Sequence, residues 1–512
     1  MPEPVAVWRR TCFDRGAASP DVPGHVVAVD EGTTGVTVLV LDPRRRVVGR
    51  AYREIACRYP KPGWVEQDAE EVWTATRLAI VAALKAARLR HQDVAAVGIA
   101  NQRETTVLWD RRTGRPVAPA IVWQDRRTAA RCRELQPQWQ DAVRAKTGLV
   151  IDPYFSATKL EWLLRDRRLK DRASAGRLAF GTIDSWLACM LTGRHVTDPT
   201  NASRTLLWDI KKGTWDGELL QLFGVPEAVL PEVVPSSHAF GSTGRLWSAD
   251  VPVASLVGDQ QAALFGNHCL SAGEAKNTYG TGCFALQHTG GRAVTSRHGL
   301  LTTRAAQVDK RAQFALEGSV FVAGAAIQWL RDALRLVKKA SDVYTLASQI
   351  EDSGGAYLVP AFTGLGAPHW DPEARGALVG LTRGTDRRHL ARAVLDSIAF
   401  QATDVILAME KDSGIAVPRL RVDGGAAKSA PLLQTQADLL QRPVVRPANV
   451  ETTAMGAGLL AGLAVDAWTM KDLKGGSSRE TEVTPRMRKA EAERRMEAWH
   501  AAVAAARSFK PG

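Results

Sequence analysis

The chain has 512 residues, 45% of them hydrophobic and 24% charged. At ~150 residues per domain this length predicts two or three domains with sizeable cores, and the composition excludes disordered, collagen-like and disulfide-scaffold classes. Lys and Arg exceed Asp and Glu by 67 to 54, but they fall in short scattered clusters: Arg44–Arg46, Arg126-Arg127, and Arg165 with Arg167 and Arg168. Without aromatic interleaving or zinc-finger spacing, these read as solvated faces, and no nucleic-acid partner is expected.

Residues 1–24 carry Arg9-Arg10 and Cys12 with no apolar stretch behind them. They are expected to be a poorly ordered extension rather than a secretion signal. No apolar run approaches the ~18 residues of a membrane helix, so no membrane insertion is expected. The cysteines (12, 57, 132, 189, 269 and 283) form no C-x-x-C pair, which suits reduced thiols in the cytoplasm.

His25–Asp30 is a β-branched apolar run, followed by the turn Gly32–Gly35 and a second run, Val36–Leu41. This predicts a hairpin with a Gly/Thr tip. Asp68 with Glu71 predicts a capping box opening a helix over about 69–90. Val94–Ala100 returns as a strand and Thr105–Trp109 as another; strands then alternate with helices, so the class is α/β. Ser255–Asp259 is a strand ending in an acid and leading into a helix near Gln260. Lys276–Leu286 repeats the strand, Gly/Thr tip, strand pattern. Thr33 and Thr281 lie 281 − 33 = 248 positions apart, about half the chain, which predicts two similar halves meeting near 255–270. His389–Asp412 is an amphipathic helix closed by Gly414, Leu420–Asp423 is a strand, and 450–464 is an Ala/Gly-rich helix. Residues 486–507 read as a basic, solvent-facing helix.

Five constellations could carry chemistry. Asp30-Glu31-Gly32-Thr33-Thr34-Gly35 and Thr278-Tyr279-Gly280-Thr281-Gly282 offer backbone N–H groups and hydroxyls to phosphates; Asp30 adds a candidate Mg²⁺ carboxylate. Both also read as ordinary hairpin turns. Asp259 at a strand-to-helix junction can accept a proton from a substrate hydroxyl or simply cap the helix. Arg103-Glu104 at a strand exit suits a small polyol, or is a surface ion pair. Asp423-Gly424-Gly425 permits close approach of a base or ribose, or is a helix-entry turn. No Lys follows a Gly, so a Walker A loop is excluded, and the HRD and DFG triplets of protein kinases are missing.

Taken in order, DEGTT, NQRETT, IVWQDRR, GLVIDPYFSATK, GDQQAALFG, KNTYGTGCF, LEGSVFVAGAAIQWL, VPAFTGLGAPHWDP, RGALVGLTRG and RVDGGAAK resemble the FGGY family of carbohydrate kinases, from about His25 to Trp468. The resemblance implies an α/β architecture of two actin-like (ribonuclease H-like) ATPase domains around a central cleft. Residues 25–266 would be the glycerol and phosphate side, 267–500 the nucleotide side and 501–512 a tail. It implies ATP-dependent phosphorylation of glycerol to sn-glycerol 3-phosphate with Mg²⁺, in a homodimer or homotetramer. By matching position, Arg103, Glu104, Tyr154, Asp259 and Gln260 would hydrogen-bond glycerol, and Trp123 and Phe284 would pack on its carbons. Thr33, Thr34 and Gly35 would meet the phosphates, and Thr281, Gly324, Gln328 and Gly425 would line the rest of the nucleotide site. Asp30 and Asp259 would lie near Mg²⁺, with Asp259 as catalytic base.

The chain departs from the family pattern GTTSSR at the first tip, reading GTTGVT. By the resemblance Thr37 and Ser429 also belong to the nucleotide site, but Thr37 replaces an Arg that reaches the phosphates and Ser429 an Asn near the base; Val36 replaces a hydroxyl residue and Glu31 a Gln. The segment 241–252 holds no His, the residue phosphorylated in some relatives. Two alternatives follow: a weak or inactive relative that binds nucleotide or glycerol in a regulatory role, and a kinase for another polyol or ketose.

Overall fold

A computed structural model describes residues 24–247, 250–371, 373–474 and 480–509. Residues 1–23 of the expected extension, and 510–512 of the tail, lie outside the described residues.

The fold is built on two large sheets. The first holds β1 (His25–Gly32), β2 (Gly35–Leu41), β3 (Val47–Glu54), β4 (Val94–Asn101), β5 (Ser237–Ser242) and β6 (Pro252–Gly258), in the order β5-β6-β4-β1-β2-β3. The second holds β7 (Ala275–Tyr279), β8 (Cys283–Gly290), β9 (Leu301–Arg304), β10 (Phe314–Val320), β11 (Leu420–Asp423), β12 (Val444–Pro447) and β13 (Glu480–Val483), in the order β9-β10-β8-β7-β11-β12-β13. Within each sheet five strands repeat one scheme. A hairpin (β1-β2, β7-β8) pairs antiparallel through its second strand with a third strand (β3, β10), and its first strand pairs parallel with a fourth (β4, β11), which pairs parallel with a fifth (β6, β12). The 248-residue spacing thus marks a structural duplication.

Alternation along β1 divides its side chains between two cores. Val27 and Val29 face α1 (Ala69–Ala87) and the helix Ile183–Thr192. Val26 and Ala28 share a core with Ala454, Ala457 and Leu460 of the helix Thr452–Ala464. A helix from the second half therefore covers the first sheet. It also crosses α2 (Asp259–Gly266) closely: a Cβ on Gly456 would lie 1.9 Å from the Ala262 carbonyl oxygen, which only glycine avoids.

Two expectations change. Asp68 caps α1 through the Glu70 N–H, while Glu71 accepts from Arg58, so no capping box forms. The last helix, Lys489–Ser508, is not solvent-facing all round: Met496, Trp499, Ala502, Val503 and Ala506 join the core of the second half, and Trp499 stacks on Phe400. The pattern of small Ala residues had concealed that stripe.

Candidate functional site

The site lies where parallel strands end. Glu31, Asn101 and Gly258 are register partners across β1, β4 and β6. The first tip, the Gln102-Arg103-Glu104 segment and Asp259-Gln260 consequently leave one sheet edge together. In the second sheet Thr278 pairs with Asp423, so the second tip and the Gly424-Gly425 turn also leave side by side. Loops beyond the carboxyl ends of parallel strands are where α/β sheets bind ligands.

Arg103 and Glu104 are buried, not a surface pair. The Arg103 guanidinium donates to both carboxylate oxygens of Glu317, at 2.5 and 3.0 Å, and to Tyr154 Oη at 3.4 Å. Its Nε lies 3.1 Å from Asp259 Oδ1. Arg204 donates from Nε to Glu104 Oε1 at 2.5 Å and from Nη2 to Glu317 Oε1 at 3.1 Å. Burial alone would push every carboxyl here upward. The two guanidiniums overcome it at Glu317, held down at about 2, whereas the Glu104 carboxyl stays above its ordinary range. Glu104 sits at φ 60°, a costly conformation for a non-glycine residue that aims its side chain at Arg204. The loop bearing Tyr154 is pinned by the buried Lys159, which donates to the carbonyls of Pro153, Tyr154 and Phe155 at 2.5, 2.7 and 3.2 Å.

Asp259 is the first residue of its helix; the cap position is Gly258. Its carboxylate accepts from the Gln260 backbone at 2.7 Å and from Gln260 Nε2 at 3.2 Å, leaving the side chain 28% exposed. That exposure leaves room for a substrate hydroxyl. Trp123 and Tyr154 meet edge-to-face at 5.5 Å, and Trp123 Nε1 donates to Thr33 Oγ1 at 2.8 Å. Phe284 is half-buried on β8, opposite Thr278.

Gln67 Nε2 donates to the Thr33 carbonyl at 2.6 Å, and the Tyr52 hydroxyl to that of Thr34 at 3.2 Å, fixing the first tip. Gly35 follows the tip beneath Tyr52, and Thr37 is buried opposite Asp30. The second tip is tied to the helix Gly324–Asp332: Gly324 N–H donates to the Gly280 carbonyl at 3.0 Å, and Ala323 N–H to that of Thr281 at 2.9 Å. Thr281, Gln328 and Gly425 are exposed. Ser429 is buried and its hydroxyl caps the helix Ala430–Leu440, so its oxygen is turned to the backbone of Leu432.

Asp30 is pushed up to about 8 by burial and by Asp259, Glu451 and Asp423 around it. A half-buried carboxyl among three others fits a divalent cation, which would relieve that crowding. Among the described residues no cluster of three or more His, Cys, Asp or Glu could hold a metal alone. Glu31 is fully buried where the family pattern has an amide; it accepts from Gln102 Nε2 at 3.0 Å, and burial pushes its carboxyl well above the usual range.

Arg204, Glu317, Gln67 and Lys276 were not singled out in the sequence. The available signal was a lone charge in a buried strand: Glu317 within Phe314–Val320 and Lys276 within Ala275–Tyr279.

Two duplicated sheets carrying Gly/Thr tips around a carboxylate-rich cleft define a phosphotransferase of the two-domain ATPase kind. Residues 25–266 match the N-terminal domain of the FGGY family of carbohydrate kinases and residues 275–465 its C-terminal domain. The chain is 56% identical over 448 residues to a glycerol kinase of Trichlorobacter lovleyi, covering 86% of this chain and 90% of that one. It is 53% identical over 492 residues to a glycerol kinase of Acidovorax ebreus, covering 94% and 99%. Plasmodium falciparum glycerol kinase, solved with ADP, superposes with a TM-score of 0.89 at 33% identity, covering 94% and 98%. The chain belongs to the FGGY family of carbohydrate kinases.

Proposed function

We propose that this chain phosphorylates glycerol with ATP, giving sn-glycerol 3-phosphate and ADP. The observation that carries the reading is the buried Arg103-Glu104 pair beside the partly exposed carboxylate of Asp259. Glycerol offers three hydroxyls and little apolar area, so selectivity must come from buried polar partners that an analogue lacking a hydroxyl would leave unpaired. Arg103 and Tyr154 donate, Glu104 accepts, Gln260 does either, and Trp123 and Phe284 cover the carbons.

In this reading Asp259 takes the proton of the terminal hydroxyl while that oxygen attacks the γ-phosphorus and the bond to the ADP oxygen breaks. Thr33, Thr34, Gly35 and Thr281 hold phosphate oxygens, and Gly324, Gln328 and Gly425 border the nucleotide. Thr37 lies behind the first tip, and Ser429 acts through the helix it caps. Asp30 and Asp259 would hold Mg²⁺, which supplies neutralising charge to the phosphates when bound. Closure of the halves excludes water as a competing acceptor. We assign residues 25–266 to the glycerol and phosphate side and 267–500 to the nucleotide side of a cytoplasmic homodimer or homotetramer.

ADP release measured across glycerol, dihydroxyacetone and xylulose tests the reading. Glycerol is expected to give the highest kcat/KM. Preference for xylulose would reassign the substrate, and nucleotide binding without turnover on any of the three would overturn the enzyme reading.

A further inference from the structure

Lys276 is fully buried on β7 and has no assigned role. Its ammonium donates to Gln260 Oε1 at 2.5 Å, Thr278 Oγ1 at 2.7 Å and the Phe284 carbonyl at 3.2 Å. All three acceptors are neutral; Asp423, Asp259 and Glu317 act on it through space, and Arg103 opposes them. An ammonium sealed from water against neutral oxygens is an expensive way to stabilise a fold. The arrangement has a geometric consequence instead. An ammonium has donors only, so the Gln260 atom it holds must be the carbonyl oxygen. The Gln260 NH₂ is thereby turned to Asp259 Oδ2, 3.2 Å away.

We propose that Lys276 is a positioning residue for phosphoryl transfer: from the second sheet it locks the Gln260 carboxamide, and through it the Asp259 carboxylate, in the orientation the acceptor hydroxyl needs. Thr278 and Phe284 flank the second phosphate tip, so the same ammonium ties the nucleotide side to the proton-accepting group. This inference rests on the glycerol-phosphorylating reading.

The test is a double-mutant cycle of Lys276→Met and Gln260→Ala in the full chain, read as steady-state kinetics. Each single change is expected to lower kcat/KM for glycerol ~10–100-fold while KM for ATP stays within about 2-fold, and the double variant should be no worse than the poorer single one. Effects that multiply, or wild-type kinetics in folded Lys276→Met, would overturn the assignment. Should Lys276→Met fail to fold, Lys276→Gln replaces it in the cycle; non-additivity again supports the lock and additivity overturns it. Wild-type enzyme with no glycerol-dependent turnover would instead sink the functional reading itself.

Discussion

Arg103 and Glu317 form a bidentate ion pair between the two halves of the chain, at 2.5 and 3.0 Å, with neither side chain more than 1% exposed. Arg204 shares the same carboxylate and reaches Glu104. Two cations and two anions thus close a charge-balanced quartet beneath the proposed glycerol subsite. Removing one member leaves an uncompensated buried charge, which is more costly than the quartet is stabilising.

Glu317→Gln is accordingly expected to lose ~3–5 kcal/mol at pH 7. The wild-type carboxyl is held at about 2, below its ordinary 4.5. Its contribution is therefore in place above pH 4.5 and disappears as pH falls from 4.5 to about 2. Urea denaturation between pH 7 and pH 3 should show the gap between wild type and variant narrowing in that window. A constant gap would contradict the charge account.

Asp30 works in the opposite sense. Its carboxyl is raised from 3.8 to about 8, so the stability linked to its proton is present below pH 3.8 and lost as pH rises through about 8. Asp30→Asn should match the metal-free wild type near pH 4 and exceed it above pH 8, by on the order of 2 kcal/mol given its partial exposure. Thermal melts without metal across pH 4–9 check this; a variant less stable at the alkaline end would contradict it.

Arg103→Lys keeps a charge but loses the planar fork that spans the Glu317 carboxylate. A decrease of ~10²-fold or more in kcat/KM for glycerol is expected, with KM for ATP little changed. Equal effects on both substrates would show that the quartet holds the whole cleft rather than the polyol subsite.

Neighbouring glycines at the second sheet edge should separate folding from nucleotide binding. Gly424 has φ 85°, and a Cβ there would lie 2.5 Å from the Tyr279 carbonyl oxygen, whereas nothing lies within 4 Å of a Cβ on Gly425. Gly424→Ala should cost ~1–3 kcal/mol. Gly425→Leu should leave Tm within about 2 °C while raising KM for ATP ~10-fold. Calorimetry paired with ATP titration of the rate reads both.

Local patterns carried much of the architecture into view. The two Gly/Thr hairpins, the strand Leu420–Asp423 and the helix closed by Gly414 at φ 69° follow from β-branched runs and glycine placement. Asp259 and Arg103-Glu104 were visible as candidates, but only the folded chain shows that the cap position falls on Gly258 rather than Asp259 and that the Arg103-Glu104 pair is buried rather than on the surface. Glu317 stands 214 positions from Arg103, and Lys276 owes its meaning to an amide on another element. Such pairings depend on how the two halves dock, which no local spacing encodes. Ser429 shows the converse: its place in the motif suggested nucleotide contact, while its hydroxyl is used to cap a helix.

The most direct test is glycerol-dependent ADP release by the wild type and by Asp259→Asn, with ATP affinity followed in parallel. The account predicts turnover that requires glycerol, and a fall of ~10²-fold or more in the variant while ATP still binds. A variant that phosphorylates glycerol at the wild-type rate would contradict it.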